Sequence, residues 1–201
     1  EFDHADIFED IDAIKKQFHH LIKTIPSSGN IIFFQDDTNT NEVVKSGLWC
    51  NKTVINSDSI KTNFALMEFT VDENKFSLQG LPLIGEHNFK NYISAILAAR
   101  LDGIAIDDSI KSLKTFKGVM RRLELVAELK NIKIYDDFAH HPTAIKLSTK
   151  AIRRRYSDKK ILGIVELGSN TMSSGYHKEN LINSFQGLDE TLLLDHKTVY
   201  D

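Results

Sequence analysis

The sequence predicts an α/β fold, and three observations predict it. Several segments repeat apolar residues at spacings of three and four, short apolar runs of strand length lie between them, and strands alternate with helices through the last third of the chain. Ile7, Ile11, Ile14, Phe18, Leu21 and Ile22 form the stripe of an amphipathic helix over residues 6–25, which Pro26-Ser27-Ser28-Gly29 ends. Residues 31–34 are a continuous apolar strand, the polar residues 36–41 read as a loop, and residues 41–47 as a helix. Between Thr53 and Leu83 the pattern shortens to residues 65–71 and 75–81 around Asp72-Glu73-Asn74, an antiparallel hairpin. Helical spacing returns over residues 88–101 and 106–116, and residues 118–122 are the expected domain junction. Beyond it the order is strands 124–128 and 132–135, helix 142–155, strand 161–165, helix 178–185 and strand 191–194. That alternation predicts a parallel, doubly wound sheet with too few strands to close it. Two domains are expected, 1–118 and 119–201, the second cut short.

Composition narrows the function. The chain has 201 residues, 41% of them hydrophobic, and a formal net charge of −3, enough for a sizeable core and without the basic field that a nucleic-acid partner needs. The tight basic cluster Arg153-Arg154-Arg155 reads as a solvated helix face. A single cysteine, Cys50, rules out a disulfide framework within the chain. No apolar run approaches the roughly 20 residues of a membrane span, and the first residues lack the three regions of a secretion signal. A cytoplasmic protein is expected.

The run YDDFAHHPTAI, from Tyr135 to Ile145, carries the chemistry. It sets Asp136, Asp137, His140 and His141 between an apolar strand and a helix that Pro142 opens. Ligands collect on such loops, just beyond the carboxyl ends of strands. Asn88 and Asn91, three residues apart with His87 beside them, can read a purine edge or, in the case of Asn88, merely cap a helix. Arg121 and Arg122 can be an exposed linker pair or a phosphate clamp. His4, flanked by Asp3 and Asp6, offers metal donors, although Asp6 as a helix cap explains the pattern equally. Ser169, Asn170 and Thr171 follow the strand at 161–165, an edge suited to hydrogen-bonding a peptide.

The loop resembles the one that opens the C-terminal domain of the Mur ligases, ATP-dependent enzymes that build the peptide of peptidoglycan. Three further segments agree in order and spacing: EFDHADIF at Glu1 to Phe8, GEHNFKNYISAILAAR at Gly85 to Arg100 and RRLEL at Arg121 to Leu125. Phe138 and the SNTM at Ser169 to Met172 resemble the branch that recycles murein peptide more than the branch that adds alanine. The resemblance implies the remainder of a central ATPase domain followed by a truncated Rossmann-like domain. It implies a ligase that uses ATP and magnesium to join UDP-N-acetylmuramate to the tripeptide L-alanyl-γ-D-glutamyl-meso-diaminopimelate, through an acyl phosphate. By that resemblance His4 helps hold the magnesium, His87, Asn88 and Asn91 border the adenine, Arg122 faces the nucleotide, and Asp137 takes the ribose or orients ATP. His140 contacts the acyl substrate or intermediate, and Ser169, Asn170 and Thr171 meet the peptide.

Two departures matter. Gly168 stands where the family usually has arginine, and no G-K-[ST] phosphate loop occurs anywhere. The chain, which opens at Glu1 inside a motif that lies mid-protein in the family, is therefore expected to be a fragment without ligase turnover of its own. Other classes remain open: the alanine-adding ligase, a silent α/β binding module, or a metal phosphohydrolase built on Asp3, His4, His140 and His141.

Overall fold

The computed structural model describes residues 2–168, 170–173, 175 and 177–194. The chain divides into two compact units, one comprising Glu1–Pro82 and Asn88–Phe116, the other Leu83–His87 and Lys117–Asp201. Among the described residues no helix is long and apolar enough to cross a membrane.

In unit one, helix α1 (Ile11–Lys23) begins where the Asp10 carboxylate accepts from the Ala13 amide at 2.8 Å. Asp10, not Asp6, caps it, so Ile7 lies ahead of the helix and is exposed. Strand β1 (Asn30–Phe34) is followed by α2 (Thr38–Lys45). The polar stretch read as a loop turns helical at Thr38 because Asp37 caps the Thr40 amide at 2.8 Å. Strand β2 (Asn51–Ile55) pairs in parallel with β1, Asn30 opposite Asn51 and Phe34 opposite Ile55. Strands β3 (Ile60–Asn63), β4 (Glu68–Val71) and β5 (Asn74–Ser77) form an antiparallel sheet, the expected hairpin with one more strand. Helix α3 (Glu86–Leu101) starts in the neighbouring segment and buries Phe89, Tyr92, Ile93, Ile96 and Leu97 at spacings of one, three and four. Helix α4 (Ile106–Leu113) ends this unit's regular structure.

In unit two, β6 (Glu124–Leu129) and β7 (Ile132–Asp136) make an antiparallel hairpin, with a register shift between Leu125 and Ala127. This corrects the expectation of one parallel sheet. Only Lys130 and Asn131 separate the two strands, both with positive φ (48° and 70°), a two-residue turn that leaves no length for a crossover. Helix α5 (Pro142–Arg155) carries proline in its first turn. Strand β8 (Leu162–Glu166), the short α6 (Asn170–Ser173), α7 (Lys178–Ser184) and β9 (Glu190–Leu194) complete it, β8 and β9 pairing in parallel.

Helix α5 is tied to its unit by polar groups as much as by Ile145 and Ala151. Thr149 Oγ1 donates to the Ser184 carbonyl at 3.1 Å. Arg153 donates to the Gly187 carbonyl at 3.1 Å and pairs with Asp189 at 2.6 Å, while Asp189 also accepts from the Ile161 amide. Arg153 is thus a strut that joins the end of α5 to the entries of β8 and β9, and only Arg154 and Arg155 form the exposed face expected of the whole cluster.

Candidate functional site

The loop between β7 and α5 is built around one carboxylate. Asp137 Oδ1 accepts from the Ala139 amide at 2.7 Å, and Oδ2 accepts from the Leu123 amide at 3.1 Å and from Ser148 Oγ at 2.9 Å. A carboxylate offers about four acceptor positions, two per oxygen. Among the described residues, Oδ2 is therefore filled and Oδ1 keeps one position.

The same loop grips residues 121–123. The Phe138 amide donates to the Arg121 carbonyl at 2.7 Å, and the Arg121 amide donates to Glu124 at 2.9 Å. Arg121 and Leu123 both have positive φ, 57° and 50°, a conformation that costs an L-residue about 1–2 kcal/mol. These bonds hold the two strained residues and so set where Arg122, between them, leaves the chain.

Phe138 is the platform of the site. The Arg121 guanidinium lies 4.8 Å from its ring centre, that of Arg122 5.8 Å, and the His140 ring meets it edge-on at 4.8 Å. Arg121 also pairs with Asp136 at 3.3 Å, which assigns the inter-loop ion pair to Arg121 and not to Arg122. Nothing in the spacing of Arg121, Arg122 and Phe138 signals this stack; the left-handed backbone creates it.

The adjacent histidines carry opposite tautomers. His140 Nδ1 lies 2.9 Å from the Phe138 carbonyl, which can only accept, so Nδ1 carries the proton. His141 Nδ1 accepts from the Thr143 amide at 3.4 Å as the cap of α5, which puts its proton on Nε2. The His141 ring packs edge-on against His177 at 4.3 Å.

His87 belongs to the same unit, where its ring covers Gly85. Burial depresses its pKa, and the Arg122 charge works the same way, while Asp137 and Glu86 oppose them only in part. His87 is thus held neutral, and its buried Nδ1 has no hydrogen-bonding partner among the described residues.

The other expected residues are spread more widely. In unit one, His4 is exposed, with φ of 57°. Asn88 lies inside α3, past its first residue Glu86, so it does not cap that helix, and it is buried while Asn91 is exposed. In unit two, Thr171 on α6 is buried, Asn170 opens that helix, and Ser169 lies outside the described residues. No group of three His, Cys, Asp or Glu side chains that could hold a metal occurs among the described residues.

Unit one also holds a polar cleft that sequence reasoning missed, lined by Gln35, Asn56, Ser57, Asp58, Lys61 and Thr62, with a volume of about 450 Å³. Gln35 and Asn56 directly follow β1 and β2, at the carboxyl edge of the parallel pair. Beside it Asn56 donates to Asp36 at 3.0 Å and accepts from Thr62 at 2.6 Å.

Two family models account for most of the chain. The Mur ligase middle domain matches residues 1–99, and the glutamate ligase domain of the Mur ligases matches residues 121–199. This chain belongs to the Mur ligase family. Its relative in Escherichia coli, named UDP-N-acetylmuramate–L-alanyl-γ-D-glutamyl-meso-2,6-diaminoheptandioate ligase, is 39% identical over 96% of the chain. A UDP-N-acetylmuramate–L-alanine ligase of Caldicellulosiruptor bescii is 34% identical over 98% of it. The chain spans 44% of the length of each of these curated relatives. Among solved structures, a murein peptide ligase from Psychrobacter arcticus superposes with a TM-score of 0.65 at 31% identity, covering 92% of this chain and 41% of that one. Within this Mur ligase chain, Asp137, Phe138 and His140 fall in the glutamate ligase domain match and His4, Asn88 and Asn91 in the middle domain match.

Proposed function

We propose that this protein acts in peptidoglycan metabolism as the ATP-dependent ligase that joins UDP-N-acetylmuramate to the recycled tripeptide L-alanyl-γ-D-glutamyl-meso-diaminopimelate. The observation that carries the reading is the 39% identity to a ligase named for that tripeptide, against 34% to one named for alanine. Phe138 in the β7–α5 loop agrees with it.

The lactyl carboxylate attacks the γ-phosphorus of ATP and ADP leaves. The tripeptide amine then attacks the carbonyl of the acyl phosphate, phosphate leaves, and the amine gives up a proton. Rate enhancement comes from placing groups and from charge aimed at the phosphoryl oxygens. The remaining acceptor position on Asp137 Oδ1 suits a ribose hydroxyl, and the exposed Arg122 guanidinium suits a phosphate oxygen. Those features fit ATP. His140 is the residue set to contact the acyl substrate or the developing intermediate.

In unit one the amides of Asn88 and Asn91 are the donors and acceptors for an adenine edge. By the family resemblance, Ser169, Asn170 and Thr171 are the residues assigned to the peptide. Magnesium supplies neutralisation of phosphate charge when bound. It prefers oxygen donors and keeps several of its waters, so the exposed His4, an imidazole, would help hold it through one of those waters and not as part of a closed cage. A nucleotide-sugar substrate is consistent with a cytoplasmic enzyme that engages neither nucleic acid nor bilayer.

The test is turnover by the protein expressed from its complete coding sequence, supplied with UDP-N-acetylmuramate, ATP, magnesium and equal amounts of tripeptide and alanine. ADP release with the mass of the tripeptide adduct is expected. The alanine adduct would move the protein to the other branch, and no ADP with either amine would return it to a binding module. Residues 1–201 alone, lacking a G-K-[ST] loop, are expected to release no ADP.

A further inference from the structure

We propose that Ser148, on α5, is the positioning residue that aims the Asp137 carboxylate, and through it Arg122. The role rests on the ligase reading above, since it concerns how the nucleotide-facing groups of that site are held.

A serine within a helix ordinarily turns its hydroxyl back to a carbonyl of its own helix, which is always within reach. Ser94 does so with Lys90 at 3.0 Å and Ser109 with Ala105 at 3.2 Å. Ser148 instead donates across the loop to Asp137 Oδ2 at 2.9 Å, eleven residues back in sequence.

The other two donors to Asp137 are loop amides, Leu123 and Ala139. Ser148 is therefore the one anchor among the three that stands on a regular element. The terminal torsion of an aspartate is broad, so its carboxylate direction is set by its partners. With Ser148 and Leu123 on Oδ2 that oxygen is filled, and Oδ1 is the oxygen left to face a ligand. The Leu123 bond also restrains the left-handed backbone on either side of Arg122. Removing the hydroxyl loosens the carboxylate, weakens the Leu123 bond and lets Arg122 wander, while leaving every group that touches substrate chemically intact.

The experiment uses the protein from its complete coding sequence, with Ser148→Ala, Ser148→Val and Ser148→Thr. Threonine keeps the hydroxyl, and valine keeps its shape without it. Two quantities are read: the KM for ATP against kcat, and amide hydrogen exchange at Leu123 and Ala139.

S148A and S148V are expected to raise KM for ATP about tenfold, the scale of one hydrogen bond to a charged group, with kcat changed less than KM. S148T is expected to stay close to wild type. Leu123 and Ala139 should exchange faster in S148A and S148V and at the wild-type rate in S148T. Wild-type exchange at Leu123 in S148A, or an S148T as impaired as S148V, overturns the proposal. If the wild type shows no ligase turnover, the functional reading falls, and the exchange rates still decide whether Ser148 holds Asp137.

Discussion

Replacing Gly85 with alanine should destabilise unit two by about 2–5 kcal/mol, the sum of two costs. Gly85 has φ of +95°, where an L-residue is strained by about 1–2 kcal/mol. A Cβ placed there would lie 2.9 Å from the Ala151 Cβ and 2.8 Å from the His87 ring carbon Cε1. The ring can swing aside, but Ala151 stands on α5 and cannot, so overpacking adds about 1–3 kcal/mol. The two costs separate in the Ala151→Gly background. There the methyl contact is gone, and Gly85→Ala should cost about 1–2 kcal/mol, the backbone part alone. Ala151→Gly itself should cost about 1 kcal/mol, as glycine does inside a helix. Urea unfolding is read by the tyrosine near-ultraviolet signal, to which Tyr135 and Tyr156 of unit two and Tyr92 of unit one contribute, and the fluorescence of the sole tryptophan, Trp49, follows unit one so that its share can be subtracted. A Gly85→Ala cost below about 0.5 kcal/mol, typical of an unremarkable surface change, would refute the packing argument. So would an unchanged cost in the glycine background.

Three other outcomes follow from the geometry of the same unit. Asp137→Asn can turn its oxygen to Ser148 and Leu123 only by pointing its NH2 at the Ala139 amide, a donor facing a donor. It should cost about 1–3 kcal/mol in urea unfolding, and a neutral result would mean that the carboxylate is not the hub of the loop. Tyr135 is pushed up to about 12 by burial and by its 2.6 Å bond to the Tyr156 hydroxyl, whereas Tyr156, despite its own burial, is drawn down by that bond and by Arg155 and Lys133. Because the folded Tyr135 holds its proton longer than the unfolded one, its stabilisation is complete below pH 10 and is lost as pH rises towards 12. Tyr156→Phe should move the late phenolate absorbance step back towards 10, and a step that stays put would refute the pairing. His87 is the opposite case, with a folded pKa below its ordinary 6.5, so its contribution is present above that pH and is lost as pH falls. His87→Gln should give a shallower acid limb of stability than the wild type, and superimposable limbs would show that the ring is not buried as described.

The sequence carried the elements well where one apolar face repeats. Residues 88–101 were legible because Phe89, Tyr92, Ile93, Ile96 and Leu97 all turn inward from α3, and α5 was legible from Pro142 and its spacing. Helix starts were less so, since either Asp6 or Asp10 can cap, and only the chain path ahead of Ile11 decides between them. The sheet of unit two was misread because two adjacent strands look alike in either pairing, and the decision lies in the two-residue turn at Lys130 and Asn131. At the site, the residue types in YDDFAHHPTAI announced chemistry. Their division of labour was invisible, because it depends on positive φ at Arg121 and Leu123 and on a serine eleven residues away. Tautomers of His140 and His141 likewise follow from which backbone group each Nδ1 meets, a fact of conformation and not of composition.

The five residues Leu83–His87 belong to unit two although the chain on both sides of them belongs to unit one. Leu83 lies against Gly118, where an added Cβ would sit 2.8 Å from Leu83 Cδ2, and Gly85 lies against Ala151. Dissecting the gene at the codon for Lys117 would therefore deliver the downstream unit with a slot in its surface, missing a clasp that the upstream piece still carries. A protease nick at the same point should sever the backbone yet leave the two pieces travelling together on a sizing column, because the clasp stays seated. Any attempt to study the halves separately has to graft that short clasp onto the downstream half before its isolated behaviour means anything.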